Sequence, residues 1–417
     1  MMDPLILAVD IGTSSLKAAI IDSAGNLHGS SRVRFPVDEP RTPAHWLQAL
    51  KRAIGLLVPS RNITAMAISG NGPTLVSVSA DGSGKILLWN DDTRVNPENT
   101  IAGPSLFIPR MQAFRARWPS IYDAAVHLLS GPEYLVWLLT GTAATVLPDP
   151  RYEPVYWRTE DLDEAGLRSD FLAPFIPPGE TAGPVLPAMA AELGLKHPVP
   201  VYQAGPDFTS ALIGTATLTP GTACDRAGTS EGLNVCIDRQ IAAPRLRTLP
   251  ALEPGLWNLS WLIPDSGITF NRWRRESGQS GRSYPEIMAE IASTPIIPPP
   301  GTPDHSGRLV AETTAISLRE GIKHITQATG REHRFVLSGG QARNDIWNQM
   351  KADITGAVFQ LTATPDGELM GNAILSARSL GIYSSLNEAA GAMVRITRVW
   401  EPDPRNHALY SEKYGTP

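Results

Sequence analysis

The stretch LILAVDIGTSSLKAAII, residues Leu5–Ile21, decides the fold. Its first five residues form an apolar run typical of a buried strand, and Asp10 follows as that run ends. Residues 12–15 (GTSS) predict a tight turn of small side chains with accessible amides, and an apolar strand resumes at residues 18–21. The stretch therefore predicts a strand, a polar turn and a returning strand.

Two interpretations of this turn remain open. It can be an ordinary hairpin in which Asp10 caps the turn. It can also surround a phosphate group, because backbone N–H groups and hydroxyls at Thr13 and Ser14 would act as donors and Lys17 would supply a cation.

Composition limits the class of protein. The chain has 417 residues, of which 42% are hydrophobic and 18% charged, enough for two or three globular domains. The formal net charge of −5 argues against general binding to nucleic acid or to a membrane surface. The two cysteines, Cys224 and Cys236, predict buried apolar side chains rather than a metal or disulfide framework.

No targeting segment is apparent in the sequence. The chain starts with MMDP and a strand instead of a basic and then apolar leader, and no apolar run reaches the roughly 18 residues that span a bilayer. We therefore expect a cytoplasmic protein with no membrane partner.

Apolar periodicity predicts alternating strands and helices, which indicates the α/β class. The predicted elements include strands at 63–69, 75–78, 86–89, 198–203, 222–226, 233–237, 257–261, 334–337 and 358–361, helices at 41–58, 105–141 and around 315–325, 346–354 and 369–380, and an irregular proline-rich loop at 294–308.

Polar residues close three of the first predicted strands, at Asp10, Asn71 and Asp91. In α/β sheets the carboxyl ends of the strands line the ligand site, so these residues are candidate ligand contacts. Taken singly, each would more often be a solvated turn.

The second half repeats the logic of the opening stretch. Two predicted strands flank the turn Gly228-Thr229-Ser230, and AGPD, ending at Asp207, follows the strand before them. One Gly-Thr-Ser turn in each half suggests two related domains, which we place at residues 1–198 and 199–417, holding one phosphate chain between them.

The ordered set of motifs resembles the FGGY family of carbohydrate kinases, within the superfamily of sugar kinases, actin and Hsp70 ATPases, and is nearest to its xylulose-kinase-like members. The segments that carry the resemblance are DIGTSSLKA at 10–18, WNDDTR at 89–94, AGPDFTSALIG at 204–214, AGTS at 227–230 and SGGQARNDIWNQMKADITG at 338–356. The resemblance implies two actin-like (ribonuclease H-like) domains with a sugar and ATP in the cleft between them.

The resemblance also implies roles for single residues. Asp10 would order Mg²⁺, usually through water, and Asp207 would be the catalytic base, with both residues counted as metal candidates. The residues expected to bind the nucleotide are Thr13, Ser14, Lys17, Gly228, Thr229, Gly267, Gly339, Gly340 and Asn344. Those expected to contact the substrate are Asn71, Trp89, Asp91, Arg94, Asp207 and Phe208.

The residue types suit phosphoryl transfer, which needs a positioned base, magnesium and donors to the transferred oxygens. Without the other motifs, a helix N-cap would be the better explanation of Asp207, because small residues follow it. Likewise, Gly339-Gly340 alone would be a plain turn between a strand and a helix.

Departures from the family pattern leave the substrate open. Asn71-Gly72-Pro73-Thr74 replaces the stretch with an imidazole that marks xylulose-phosphorylating members and the Arg-Glu pair of glycerol kinases. Arg94 can be a substrate contact or a structural partner of Asp91.

The segment between Ser230 and Ser338 is shorter than the family pattern. A trimmed lid would leave the site open to an atypical substrate or mark the loss of turnover. The sequence thus predicts a kinase for a small sugar or polyol such as a pentulose or hexulose, with a catalytically silent sugar or nucleotide sensor as the alternative and a homodimer as an option. A dinucleotide-dependent oxidoreductase is disfavoured because no Gly-x-Gly-x-x-Gly opens a βαβ unit.

Overall fold

The computed structural model describes residues 3–36, 39, 41–57, 62–80, 84–93, 105–228, 230–303 and 305–415. The chain forms two compact units. The first comprises Met1–Gly214 and Glu368–Met393, and the second comprises Thr215–Gly367 and Val394–Pro417.

The first unit is built on a six-stranded sheet of order β10-β11-β4-β1-β2-β3. Its strands are β1 (Leu5–Ile11), β2 (Ser15–Asp22), β3 (Leu27–Arg34), β4 (Ile63–Gly70), β10 (Thr181–Pro184) and β11 (Pro200–Pro206). Strand β2 runs antiparallel to both of its neighbours, β1 and β3. Strand β4 lies parallel to β1, and β11 lies parallel to β4. The predicted opening hairpin is confirmed, with Asp10 paired opposite Lys17.

Helices and two small sheets complete the first unit. The small sheets contain β5 (Leu75–Val78), β6 (Ile86–Leu87) and β7 (His127–Leu129), and β8 (Thr145–Val146) with β9 (Phe175–Ile176). The helices are α1 (Pro43–Gly55), α2 (Ile108–Arg117), α3 (Pro119–Ala124), α4 (Gly131–Thr140), α5 (Glu153–Tyr156), α6 (Thr159–Glu164), α7 (Pro187–Glu192), α8 (Asp207–Gly214), α13 (Gly367–Ser379) and α14 (Leu386–Met393).

The second unit is built on a seven-stranded sheet of order β14-β15-β13-β12-β16-β17-β18. Its strands are β12 (Ala223–Ala227), β13 (Glu231–Ile237), β14 (Arg247–Pro250), β15 (Trp257–Ile263), β16 (Arg334–Ser338), β17 (Val358–Thr362) and β18 (Ile396–Trp400). Its helices are α9 (Ser266–Glu276), α10 (Tyr284–Ser293), α11 (Ser306–Thr329), α12 (Asp345–Thr355) and α15 (Pro404–Tyr414).

The two sheets share one connectivity. In the second unit β12, β13 and β15 form the antiparallel meander, and β16 and β17 continue in parallel from β12, as β4 and β11 do from β1. The duplication that the two Gly-Thr-Ser turns suggested is therefore present in the topology. Each sheet packs its apolar face under helices, and both cysteines are buried as predicted.

Several predicted boundaries were wrong. The division falls between Gly214 and Thr215 rather than at residue 198, because β11 pairs with β4 as the fifth strand of the first sheet. The short strand β7 interrupts the helix predicted for 105–141, since residues 127–129 pair with β5. The strand predicted for 86–89 ends at Leu87, and α11 begins inside the loop predicted for 294–308, at Ser306.

Across the described residues, the longest helices are too short or too polar to cross a membrane.

Candidate active site

Three predicted site residues lie at one edge of the first unit's sheet. In the parallel strands β1, β4 and β11, Asp10 is level with Ser69, and Gly70 is level with Pro206. Asp10, the last residue but one of β1, therefore lies near Asn71, which follows β4, and near Asp207, which begins α8. The carboxyl ends of parallel strands meet at one edge, so two of the polar strand ends predicted from the sequence converge with Asp207.

Asp10 is the most perturbed acid at this edge. Its side chain is buried, with an exposed fraction of only 2%, and Ser69 Oγ donates to its Oδ1 over 2.9 Å. Burial raises the pKa of Asp10 to about 8; Lys17 opposes this rise, and the negative charges of Glu368 and Asp207 add to it. Three acidic side chains thus lie near a single lysine, and a bound cation would reduce the repulsion between them.

The sequence analysis missed two residues of this edge, both on α13. Glu368 Oε2 lies 3.8 Å from Lys17 Nζ. Asn372 Nδ2 donates to Val9 O over 2.7 Å and to Ser69 Oγ over 2.9 Å, so that the serine hydroxyl is directed towards Asp10. The apolar positions of α13 predicted the helix, but nothing local to residues 367–379 indicates that it packs beside β1, more than 350 residues away.

The turn predicted to bind phosphate is tied to a residue predicted to bind substrate. Gly12 N donates to Ser15 O over 2.9 Å and closes the turn, which leaves Ser14 exposed. Trp89 Nε1 donates to Thr13 Oγ1 over 2.8 Å. The Thr13 hydroxyl is therefore held by an indole from another part of the chain and keeps its own proton available for donation.

Asn71 presents a polar group without a partner. Its side chain is buried, its Oδ1 accepts from Thr74 Oγ1 over 3.2 Å, and the Thr74 oxygen accepts from Trp89 N over 3.1 Å. Within the part of the chain that the structure describes, Asn71 Nδ2 has no hydrogen-bond partner. Because an unpaired buried donor costs free energy, this amide is suited to a ligand oxygen or a water molecule.

The side chain of Asp91 stabilises the turn in which it lies. Its Oδ2 accepts from Leu88 N over 2.8 Å, and Arg110, which the sequence analysis did not single out, donates to Leu88 O over 2.8 Å and to Trp89 O. The charge of Asp91 raises the pKa of Arg110, although burial outweighs it and the net shift is downward. Arg94 lies outside the described residues, and Phe208 is partly buried in the first turn of α8.

In the second unit two predicted nucleotide segments come together. Gly228 and Gly339 follow the neighbouring parallel strands β12 and β16, and Gln341 Nε2 donates to Gly228 O over 3.3 Å. Gly339 has φ of +101°, and a Cβ there would lie 2.0 Å from Ala227 O, so only glycine fits. Gly340 starts a short 3-10 turn; Thr229 lies outside the described residues.

Asn344 is the N-cap of α12 rather than a residue of its first turn. Its Oδ1 accepts from Trp347 N over 2.9 Å, which is the normal function of an N-cap side chain. Gly267, also expected to bind the nucleotide, lies in the first turn of α9, after the N-cap Asp265.

A shallow cleft with free space for about one water molecule borders these segments. It is lined by Ser266, Phe270, Tyr284, Met288, Ala311, Thr314, Gln341 and Trp347. The lining is largely apolar, but Ser266 Oγ and Trp347 Nε1 are buried and find no hydrogen-bond partner among the residues described. Aromatic side chains with a few polar groups offer a surface against which a planar ring can pack.

Comparison with known proteins agrees with the motif resemblance. Residues 291–380 match the model of the FGGY family of carbohydrate kinases, C-terminal domain. A xylulose kinase of Staphylococcus epidermidis is 26% identical over 488 aligned positions, covering 99% of this chain and 96% of that protein. Because the chain has 417 residues, at least 71 of those positions have no counterpart here.

Solved structures share the fold. A gluconate kinase from Lactobacillus acidophilus superposes with a TM-score of 0.80 at 17% identity, covering 99% of this chain and 96% of that one. A ligand-bound xylulose kinase from the same organism gives 0.79 at 17% identity, with 98% and 96% covered. The actin-like architecture that the motifs implied is therefore confirmed. Residues 291–380 therefore match an FGGY carbohydrate-kinase C-terminal domain, and the full-length relatives and the shared fold agree with that resemblance over the rest of the chain.

Proposed function

We propose that this chain transfers the γ-phosphoryl group of ATP to a hydroxyl of a small sugar or polyol. The observation that carries the proposal is the group of acids at one edge of the first unit's sheet. Asp10 interacts there with Asp207 and Glu368, and Lys17 is the neighbouring cation. Such a group suits a site that takes up a cation and removes a proton.

Asp207 is the proposed base. As the sugar oxygen attacks phosphorus and the bond to the ADP oxygen breaks, the hydroxyl proton passes to the Asp207 carboxylate. Asp207 begins α8 at the carboxyl end of β11 and is only partly buried, which supports access to a substrate.

The residues at this edge fit Mg²⁺ held mainly through water. Carboxylate oxygens are the ligands that Mg²⁺ prefers, and it commonly takes one or two of them together with water and substrate phosphates. No group of three or more His, Cys, Asp or Glu side chains is placed to hold a metal in the described part of the chain, so a fully protein-bound ion is not supported. Asp10, with Asp207 nearby, would hold the ion, which would neutralise charge on the phosphate oxygens.

The nucleotide is assigned to the second unit. Gly228 and Gly339 follow neighbouring parallel strands, and the small residues let the two turns run close to the backbone at Ala227, as tight phosphate-binding turns do. The N–H groups of the two glycines themselves donate to Ser230 O and Pro365 O, so the donors to a phosphate would be other groups of these turns. The neighbouring aromatic cleft and its unpaired Ser266 and Trp347 groups support binding of the base.

The substrate class rests on Asn71 and on the relatives. A buried amide N–H group that has no partner among the described residues favours an acceptor oxygen on a hydroxylated molecule. Relatives and structural neighbours carry the names xylulose kinase, gluconate kinase and autoinducer-2 kinase, so a polyhydroxylated compound of about that size is the proposed acceptor.

The test is ADP release measured over a panel of pentuloses, hexuloses, sugar acids and polyols with MgATP. Asp207→Asn should lower kcat by about 10²- to 10⁴-fold, the usual contribution of a general base, while calorimetric binding of ATP stays near the wild-type value. Asp403→Asn, at the N-cap of α15, is the matched control and should leave kcat unchanged. Equal turnover by Asp207→Asn would refute the base assignment.

A sensor without turnover is the second candidate, because the alignment with the staphylococcal relative leaves at least 71 positions without a counterpart. It predicts that nucleotide or sugar raises the melting temperature, as any ligand of the folded state does, while no ADP is released with any acceptor.

A further inference from the structure

Three charged side chains are fully enclosed beneath the nucleotide turn of the second unit. Lys351 of α12, Asp225 of β12 and Glu231 of β13 each have side-chain exposure of 0%. Lys351 Nζ contacts Asp225 Oδ2 and lies 3.4 Å from Glu231 Oε1. None of the three belongs to the site described above.

Their place in the fold connects the two proposed nucleotide segments. Ala227 pairs with Glu231 across the hairpin, so the turn 228–230 begins and ends directly at this pair. Asp225 lies two residues before Ala227 and therefore on the same face of β12. Lys351 reaches both carboxylates from α12, the helix whose first turn carries Trp347 of the cleft.

The same lysine touches the cleft wall. Lys351 Nζ lies 5.6 Å from the centre of the Trp347 ring and 5.3 Å from that of Phe359. Moving the ammonium group would therefore disturb the turn and the aromatic lining together.

Charge balance inside this cluster is incomplete when every member is ionised. Two carboxylates then face one ammonium group, and Asp225 Oδ1 and Glu231 Oε2 have no hydrogen-bond partner among the residues that the structure describes. A net buried charge is expensive, and a proton on one carboxylate removes it.

Glu231 is the carboxyl group that holds this proton. Burial and the neighbouring Asp225 raise the pKa of Glu231 to about 8, with Lys351 opposing the rise. The group that faces it from α10 is Tyr284, whose own pKa is raised by burial and by Glu231. The two carboxylates outweigh burial at Lys351 and raise its pKa, so the lysine stays charged.

We propose that Lys351, Asp225 and Glu231 are positioning residues that fix the turn 228–230 against α12, and that nucleotide affinity depends on this cluster being electrically neutral. The inference rests on the proposed function, because it assigns the nucleotide to this turn. Loss of the Glu231 proton places an uncompensated negative charge beside a turn meant for phosphates, so affinity falls as the pH rises through about 8.

The first experiment compares MgADP binding to wild-type protein and to Glu231→Gln by titration calorimetry from pH 6.5 to 9.5. Glutamine imitates the protonated carboxyl, so the two dissociation constants should agree within about twofold at pH 7. At pH 9 the wild-type constant should rise at least about fivefold, since about nine-tenths of Glu231 is then ionised. The Glu231→Gln constant should not rise over this range, because the other acid with a pKa of about 8, Asp10, would hold Mg²⁺ better once ionised.

The second experiment tests the lysine. Lys351→Met should weaken MgADP binding at least about tenfold, and Lys351→Arg should recover part of the loss by restoring the charge. Lys413→Met is the matched control, because it removes a lysine 3.0 Å from the buried Glu312 of the same unit but away from the turn. It should leave MgADP binding unchanged, with far-UV circular dichroism verifying that each variant folds.

Parallel pH curves for wild type and Glu231→Gln would overturn the inference while leaving the proposed function intact. Equal weakening by Lys351→Met and Lys413→Met would also overturn it, since the effect would then be general destabilisation. Failure of the wild-type protein to bind MgADP at any pH would overturn both the inference and the nucleotide assignment.

Discussion

Gly371 lies where α13 crosses α8 in the first unit, and replacing it with alanine tests this packing directly. An alanine Cβ would lie 1.8 Å from Ser210 O, 2.6 Å from Ser210 C and 3.0 Å from Ser210 Cα. All three atoms belong to the backbone of α8, so no side chain can rotate away. The helices must move apart by about 1.2 Å before the shortest contact reaches even 3.0 Å.

The magnitude follows from two opposing effects. Overpacking a close contact costs about 1–3 kcal/mol, and a backbone obstacle places this site at the upper end of that range. Alanine regains about 1 kcal/mol of helix propensity relative to glycine. We therefore expect Gly371→Ala to lower the free energy of unfolding by about 2 kcal/mol. Since the first turn of α13 carries Glu368, beside Lys17, kcat should fall as well.

The assay is urea denaturation followed by far-UV circular dichroism, with ADP release measured on the same preparations. Gly391→Ala is the matched control, because Gly391 is exposed on α14 and a Cβ there meets nothing within 4 Å. This control should gain up to about 1 kcal/mol. If Gly371→Ala proves as stable as Gly391→Ala, the close approach of α13 to α8 is wrong.

Three further predictions concern single side chains. Burial raises the pKa of Glu133 from 4.5 to about 7. The stabilising effect of the protonated group is therefore complete below pH 4.5 and is lost as the pH rises to about 7. The free energy of unfolding measured with urea should fall by about 3 kcal/mol over this range in the wild type and not in Glu133→Gln. Trp89→Phe removes the donor to Thr13 and should cost about 1 kcal/mol in the same assay, whereas an unchanged midpoint would show that this bond contributes nothing. Arg308→Met leaves the buried Glu312 without its closest arginine and should cost about 3–5 kcal/mol; a loss below 1 kcal/mol would contradict that estimate.

Much of the fold could be predicted because local patterns carry it. The apolar run before Asp10 and the small residues after it define the hairpin β1–β2, and a second turn at 228–230 predicts the repeated topology. Where a segment lacked such a pattern, prediction failed. Residues 127–129 pair with β5, and their apolar side chains are indistinguishable from the helical periodicity on either side.

The residues of the candidate site also divide into those that local sequence patterns could indicate and those that they could not. Asp10, Asn71 and Asp207 could be found from sequence because each comes directly after an apolar run, within the last two residues of its strand or just beyond it. Glu368 and Arg110 could not, since each lies on a helix whose apolar positions say nothing about what its polar residues approach. Asn344 combines both cases: its position was found, and its contact turned out to be the helix cap.

The sequence by itself determined the order of the strands and turns, the class of the fold and the acids that end the strands, because hydrophobic period and turn chemistry are properties of neighbouring residues. Only the tertiary structure decided which charged side chains, far apart in the sequence, lie close enough to interact. Asp10 acquires its raised pKa from burial and from Glu368, and Lys351 meets Asp225 and Glu231 across more than 100 residues of chain. Electrostatic interactions depend on distance and on exclusion of water, and both are settled only when the sheets and helices pack.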